Sequence, residues 1–239
     1  MQQLQSGRHF LQIPGPTNVP DRILRAIERP TIDHRGPEFK GLCFEVLEGI
    51  KEIFQTRQPV IIFPASGTGA WEAALVNTHS PGDRVLMYDT GHFASTWYKL
   101  AMKLGLDAQL LPGSWREGAK PDEIEHVLAE DKVRTIKSVC LVHNDTATGI
   151  TSDIPAIRSA IDKSGHNALF CVDTISSLGS IDYRHDDWGV DVTVGGSQKG
   201  LMLPPGLSFN AVSKKALEAC EGANLQSSYW DWQDMLNAN

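Results

Sequence analysis

Three short strings in this chain of 239 residues carry groups that could do chemistry together. In Gly195-Gly196-Ser197-Gln198-Lys199-Gly200 a lysine stands among glycines just after the apolar run 190–194. A partly desolvated amine near other cations has a lowered pKa and can form a Schiff base with a carbonyl; an exposed loop lysine would read the same way. Asp173 closes the apolar run 169–172 and is followed by Thr174-Ile175-Ser176-Ser177. An acid at the mouth of a buried strand is costly unless a cation meets it. A protonated pyridine nitrogen would do so, although a helix cap or loop acid accounts for the residue equally well. The third string, Pro64-Ala65-Ser66-Gly67-Thr68-Gly69, joins the run 60–63 to the helical Ala70-Trp71-Glu72-Ala73-Ala74-Leu75. It is either a phosphate cradle of free backbone N–H groups and a hydroxyl, or a tight turn capped by Ser66 or Thr68. It is not a Walker loop, and Glu72 stands where the dinucleotide fingerprint needs its third glycine.

The elements that must position these strings follow from the pattern of apolar residues. Phe39, Leu42, Cys43, Val46, Leu47, Ile50, Ile53 and Phe54 recur at three- and four-residue steps, which predicts an amphipathic helix. Beyond it, apolar runs at 60–63, 85–88, 136–142, 169–172, 190–194 and 207–212 read as strands, and 70–77, 93–104, 121–130 and 154–163 read as helices. Continuously apolar strands separated by helices predict an α/β fold whose mostly parallel sheet is covered by helices on both faces. In such sheets ligands gather at the carboxyl ends of the strands, where all three strings lie. Ahead of this, Ile13-Pro14-Gly15-Pro16-Thr17-Asn18-Val19-Pro20 excludes regular helix or central strand and reads as an ordered arm or loop.

Composition narrows the function classes. A net charge of −7, with lysines and arginines scattered among the acids, argues against a nucleic-acid surface and for a small-molecule substrate. Cys43, Cys140, Cys171 and Cys220 form no C-x-x-C pair, so neither zinc nor a redox motif is expected, and Cys140 and Cys171 read as buried core. His185-Asp186-Asp187 resembles a metal cluster only superficially, since its members are consecutive in a loop, and no metal is assigned. Met1 to Phe10 lacks the apolar centre of a signal peptide, no later run approaches membrane-spanning length, and Leu236-Asn237-Ala238-Asn239 matches no targeting address. The expectation is a soluble, cytoplasmic protein without a nucleic-acid or membrane partner.

Taken in order, phosphate turn, strand-end acid and glycine-flanked lysine resemble the fold-type I pyridoxal-phosphate enzymes. The strings Ile13-Pro14-Gly15-Pro16-Thr17-Asn18, Asp33-His34-Arg35-Gly36-Pro37, Ser66-Gly67-Thr68-Gly69-Ala70-Trp71-Glu72, His143-Asn144-Asp145-Thr146-Ala147-Thr148-Gly149 and Gly196-Ser197-Gln198-Lys199-Gly200 resemble the alanine/serine-glyoxylate aminotransferase family of class V, and the similarity runs along nearly the whole chain. The resemblance implies that Lys199 carries pyridoxal 5'-phosphate and moves the proton between substrate Cα and cofactor C4′. It implies that Asp173 keeps the pyridine nitrogen protonated. Ser66, Gly67, Thr68 and Gln198 would bind the phosphate, Thr146 the polar edge near the phenolic oxygen, and Phe93 and Ile175 the two faces of the ring, although Phe93 also fits a core position at a helix start. Gln198 before the lysine, where the related cysteine desulfurases have His, favours transamination. His34 and Arg35 approach the substrate or a partner subunit, or form an ordinary polar turn.

Members of that family are longer. They continue past Tyr229-Trp230-Asp231-Trp232 into a C-terminal small domain that supplies an arginine for the substrate carboxylate and a loop for the neighbouring subunit's phosphate. The expected organisation is an N-terminal arm or loop at 1–38 and a PLP-binding large domain at 39–239, incomplete at its C-terminal end, with the small domain absent. The expected function is transamination of serine, alanine or aspartate with glyoxylate, in a homodimer. The alternative is a truncated, non-catalytic cofactor-binding or interaction protein that keeps the fold.

Overall fold

The computed structural model describes residues 10–225 and 227–237. The stretch before residue 10 and the last two residues, on which the leader and address expectations partly rest, lie outside them. Among the described residues the elements are α1 (Asp21–Ile27), α2 (Pro37–Phe54), β1 (Val60–Phe63), α3 (Gly67–Val76), β2 (Arg84–Tyr88), α4 (His92–Lys103) and β3 (Asp107–Leu111). There follow α5 (Pro121–Glu130), β4 (Ile136–Val142), α6 (Ile154–Lys163), β5 (Leu169–Asp173), β6 (Val192–Gly196), β7 (Ser208–Val212), α7 (Lys214–Gly222) and α8 (Trp232–Asn237). The strands form one seven-stranded sheet in the order β1-β7-β6-β5-β4-β2-β3.

The sheet is parallel from β3 to β6, and β7 runs antiparallel to both of its neighbours, β6 and β1. Two reversals restore direction, so β1 points the same way as β6. The carboxyl ends of β1, β2, β4, β5 and β6 therefore share one edge of the sheet. Alternation along the strands divides the core into two layers. Val139, Leu141, Phe170 and Val172 pack with Ile50 and Phe54 of α2, Ile124 and Leu128 of α5 and Ile157 and Ile161 of α6. Cys140, Val142, Cys171, Val192 and Val194 pack on the opposite face with α3, α4, Ala216 of α7 and Trp232 of α8. This is the three-layer α/β arrangement expected, with Cys140 and Cys171 in the core as expected.

Several boundaries differ from the sequence reading. The strand placed at 190–194 begins at Val192 and runs through Gly195 and Gly196. Asp191 sits before it as an anchor, accepting from Phe170 N at 2.9 Å, from Ser213 Oγ at 2.8 Å and from Lys215 Nζ at 3.4 Å. Phe54 and Leu178 press against the strand at Gly195, where a Cβ would meet Phe54 at 3.1 Å and Leu178 at 3.2 Å. Strand β3, Asp-Ala-Gln-Leu-Leu, is an additional element. It lies at the sheet edge with alternating exposed residues, so it lacks the apolar run that marks the inner strands. The short helix α1 and the helices α7 and α8 are also additional. No helix among the described residues is long and apolar enough to cross a membrane.

Candidate active site

Each site segment leaves its strand at the shared edge. After β1, Ser66 is the N-cap of α3 but makes no side-chain cap bond, so the capping explanation of this turn does not hold for Ser66. The amides of Gly69 and Ala70 close on Ser66 O at 3.0 and 3.2 Å, while those of Gly67 and Thr68 have no acceptor within the helix. The positive end of the α3 dipole thus opens beside two hydroxyls. A Cβ at Gly67 would run into the Ile175 side chain, so glycine allows the turn and the strand-end loop to touch.

Asp173, the last residue of β5, is buried. Its Oδ1 accepts from Ile175 N at 2.6 Å and its Oδ2 from the Trp71 indole Nε1 at 2.9 Å. Burial pushes its pKa up from 3.8 to about 7, against the pull of these two donors, with the Asp145 charge adding to the rise and Lys199 opposing it. Lys199 is half-buried, and desolvation lowers its amine from the usual value while Asp173 raises it. Acid and amine therefore sense one another across the same space.

The segment after β4 bridges to Thr151 at Asn144 and then turns at 146–148. Its side chains divide between the cavity and the protein interior. Val142, Asn144 and Thr146 line the cavity. His143 and Asp145 point elsewhere: His143 Nδ1 meets Ser177 Oγ at 2.9 Å, and its ring lies against Tyr183 and Trp188. The Asp145 carboxylate caps α4 from outside, accepting from Phe93 N at 3.0 Å and Ala94 N at 3.1 Å. Gly91, the N-cap of α4, leaves room for that carboxylate, which a Cβ there would strike. Asp145 also accepts from Ala147 N at 3.0 Å, so one buried side chain ties the Phe93 wall to the Thr146 wall.

The lysine loop is held by Ser197, which donates to Pro204 O at 2.7 Å and accepts from Leu207 N at 3.2 Å. From the N-terminal stretch, Thr17 N donates to Gln198 O at 3.0 Å and Lys199 Nζ donates to Pro14 O at 3.4 Å. Gly15 lies against the lysine, where a Cβ would collide with its side chain.

All nine residues singled out from the sequence, Ser66, Gly67, Thr68, Phe93, Thr146, Asp173, Ile175, Gln198 and Lys199, line one cavity of about 140 Å³. Trp71, Val142, Asn144 and Ser176 complete the lining and were not singled out. A signal for each was present. Trp71 is one helical turn after Gly67, Asn144 and Val142 are at even spacing from Thr146, and Ser176 adjoins Ile175. The Ser176 hydroxyl meets that of Thr146. Larger hollows exist, about 650 Å³ beside Asn77 and Cys220 and about 850 Å³ beside Glu48 and Asp186, but neither pairs a buried acid with an amine. His34 and Arg35 are exposed in a turn closed on Asp33 and are not part of the cavity lining. His185 and Asp186 diverge, the histidine bonding Thr193 Oγ1 at 2.7 Å and the acid accepting from Thr56 Oγ1 at 2.6 Å.

Comparisons with known proteins point to one family. The family model described as aminotransferase class-V matches residues 9–237. The serine–glyoxylate aminotransferase of Methylorubrum extorquens is 48% identical, over 98% of this chain and 60% of its own length. The L-aspartate–glyoxylate aminotransferase of Paracoccus denitrificans is also 48% identical, over 93% of this chain and 57% of its own. The structure of an alanine–glyoxylate aminotransferase from Nostoc sp. superposes with a TM-score of 0.89 at 29% identity, covering 99% of this chain and 62% of that one. The chain thus spans about 60% of the length of these relatives.

Proposed function

The chain belongs to the class-V aminotransferase family, and from that premise we propose that its cavity holds pyridoxal 5'-phosphate and serves amino-group exchange between serine, alanine or aspartate and glyoxylate. The observation that carries this reading is the convergence of a buried acid, a desolvated amine and an open helix N-terminus on one cavity. The residues suit the cofactor. The buried Gln198 Oε1 has no partner among the described residues, and a half-turn of that amide would present its NH₂ to an anion. Gly67 and Thr68 amides, with the Ser66 and Thr68 hydroxyls, make a donor set for a phosphate. The Asp173 carboxyl has been taken out of water with no cation bonded to it, which fits a protonated ring nitrogen.

When bound, the cofactor supplies an electron sink for charge developing at the substrate Cα. The protein's part is positional and acid–base. Asp173 would accept from the protonated ring nitrogen, a cation that would pair its buried charge. Lys199, with its amine lowered by desolvation, would hold the cofactor and carry a proton at the substrate Cα. Phe93, fixed through Asp145, and Ile175, fixed against Gly67, would pack against the ring. Thr146 and Ser176 would offer it hydroxyls.

A second reading, binding without turnover, rests on a specific observation: among the described residues the cavity lining holds one cation, Lys199, and a substrate carboxylate needs another. The family's homodimer and a cytoplasmic setting belong to the same proposal. A second copy finds support in α2, whose Phe39, Leu42, Phe44 and Val46 are exposed.

The test is the visible spectrum of the protein with pyridoxal phosphate, beside Lys199→Ala, before and after serine, alanine or aspartate. A Lys199-dependent band that shifts with an amino acid supports transamination. A band indifferent to amino acids supports the second reading, and no band in folded protein refutes both.

A further inference from the structure

Two indoles stack inside the layer between the sheet and helices α3 and α4: Trp71 and Trp97 lie 5.8 Å apart at 11°. Both are buried, yet their N–H groups fare differently. Trp71 Nε1 donates to Asp173 Oδ2 at 2.9 Å, across 102 residues of sequence, while Trp97 Nε1 has no partner among the described residues. An indole N–H is a donor only, and so is the Ile175 amide that meets Oδ1. Each oxygen of Asp173 therefore faces a group able to bond a lone pair and unable to accept a proton. If the carboxyl is protonated, its proton must occupy one of the remaining lone pairs, the ones open to the cavity. That is the place a ligand nitrogen needs.

We propose that Trp71 is a positioning residue for the cofactor site: its indole N–H favours the carboxylate form of Asp173 and fixes one of its oxygens at the cavity wall, ready for a cationic ring nitrogen. The statement rests on the pyridoxal-phosphate reading for its functional half and on the apoprotein alone for its structural half. The other titratable groups acting on this carboxyl are Lys199 from the β6–β7 loop and Asp145 from the segment after β4; the Tyr183 phenol in turn feels the Asp173 charge. Neither Lys199 nor Asp145 bonds to the Asp173 oxygens among the described residues, so Trp71 and Ile175 set the carboxylate's orientation.

The experiment follows Asp173 by carboxyl-carbon NMR and the two indole protons by nitrogen-edited NMR in the apoprotein as pH is raised. In the wild type the Trp71 indole signal should move with the Asp173 midpoint while the Trp97 signal stays still. Trp71→Phe should raise that midpoint by about one to two units, the scale of a lost hydrogen bond to a charge. The same variant should bind pyridoxal phosphate about tenfold more weakly at pH 7, with the deficit shrinking above the new midpoint. Trp97→Phe, which removes an N–H that has no partner among the described residues, should leave both readings unchanged. An Asp173 midpoint that ignores Trp71→Phe, or a Trp71 signal that ignores Asp173 in the wild type, overturns the inference while the cofactor reading stands. Normal titration coupling in a wild type that binds no pyridoxal phosphate overturns the cofactor reading and this role with it.

Discussion

Replacing Asp173 by Asn should make the apoprotein's stability less dependent on pH in a defined direction. The folded carboxyl titrates near 7 against 3.8 when exposed, so the folded state holds its proton more tightly than the unfolded state does. The stability this confers is fully present below pH 3.8 and is lost as pH rises to about 7. At 1.36 kcal/mol per unit the loss is about 4 kcal/mol, a large part of the roughly 5–15 kcal/mol that holds a typical protein together. Asn removes the titration. Its NH₂ must also face either the Trp71 or the Ile175 donor, which costs about 1–3 kcal/mol at every pH. The offset is constant, so the informative quantity is the slope. Urea unfolding of both apoproteins from pH 4 to 8 should show the variant gaining about 4 kcal/mol on the wild type across that range. A flat difference would mean that Asp173 is not desolvated in the apoprotein. A difference running the other way would mean that it forms a tight ion pair with Lys199, and either result refutes the electrostatic account of the site.

The buried histidines act in the opposite sense. His79, His143 and His185 are held neutral by burial, each lowered from 6.5 to about 4, so their stabilisation is present above pH 6.5 and is lost as pH falls toward 4. Acid titration of the Asp173→Asn protein, followed by circular dichroism, should therefore unfold it cooperatively in that window; resistance down to pH 4 would contradict the burial of these rings. Lys199→Ala should abolish the amino-acid-responsive band while leaving the unfolding free energy from urea titration within about 1 kcal/mol of wild type, since among the described residues the amine makes a single long bond, to Pro14. Gly67→Ala should push Ile175 into the cavity and weaken pyridoxal phosphate binding at least tenfold in equilibrium titration, with far-UV dichroism unchanged. Val46→Glu on the exposed face of α2 should yield monomer by light scattering if a second copy covers that helix, and should have no effect if nothing does.

Much of this protein was legible locally. Inner strands announced themselves because a strand buried on both faces must be apolar throughout, and β4 and β5 appear within a residue of where the apolar runs lie. Ser66, Gly67, Thr68, Asp173 and Lys199 stand at or just past strand ends, where ligand-binding groups in such sheets cluster, whereas Phe93, Thr146, Ile175 and Gln198 could be named only through the family resemblance of the motif strings. What local pattern could not supply were decisions taken between distant segments. The antiparallel insertion of β7 is what brings the end of β1 to the edge shared by β4, β5 and β6, and no periodicity within β7 encodes the direction of its neighbours. Strand β3 was hidden because its residues alternate, and Gly195 belongs to β6 where Phe54 of a distant helix needs its room. Nothing local marks Asp145 as a helix cap; it caps α4 because Gly91 leaves space for it. The bond from Trp71 to Asp173 spans 102 residues. Sequence sets which residue types can be buried and which must stand at strand ends, since those follow from solvation and backbone geometry of a few neighbours. Which donor meets which acceptor is settled by close packing of the whole chain, where leaving a buried polar group unpaired costs more than any local preference returns.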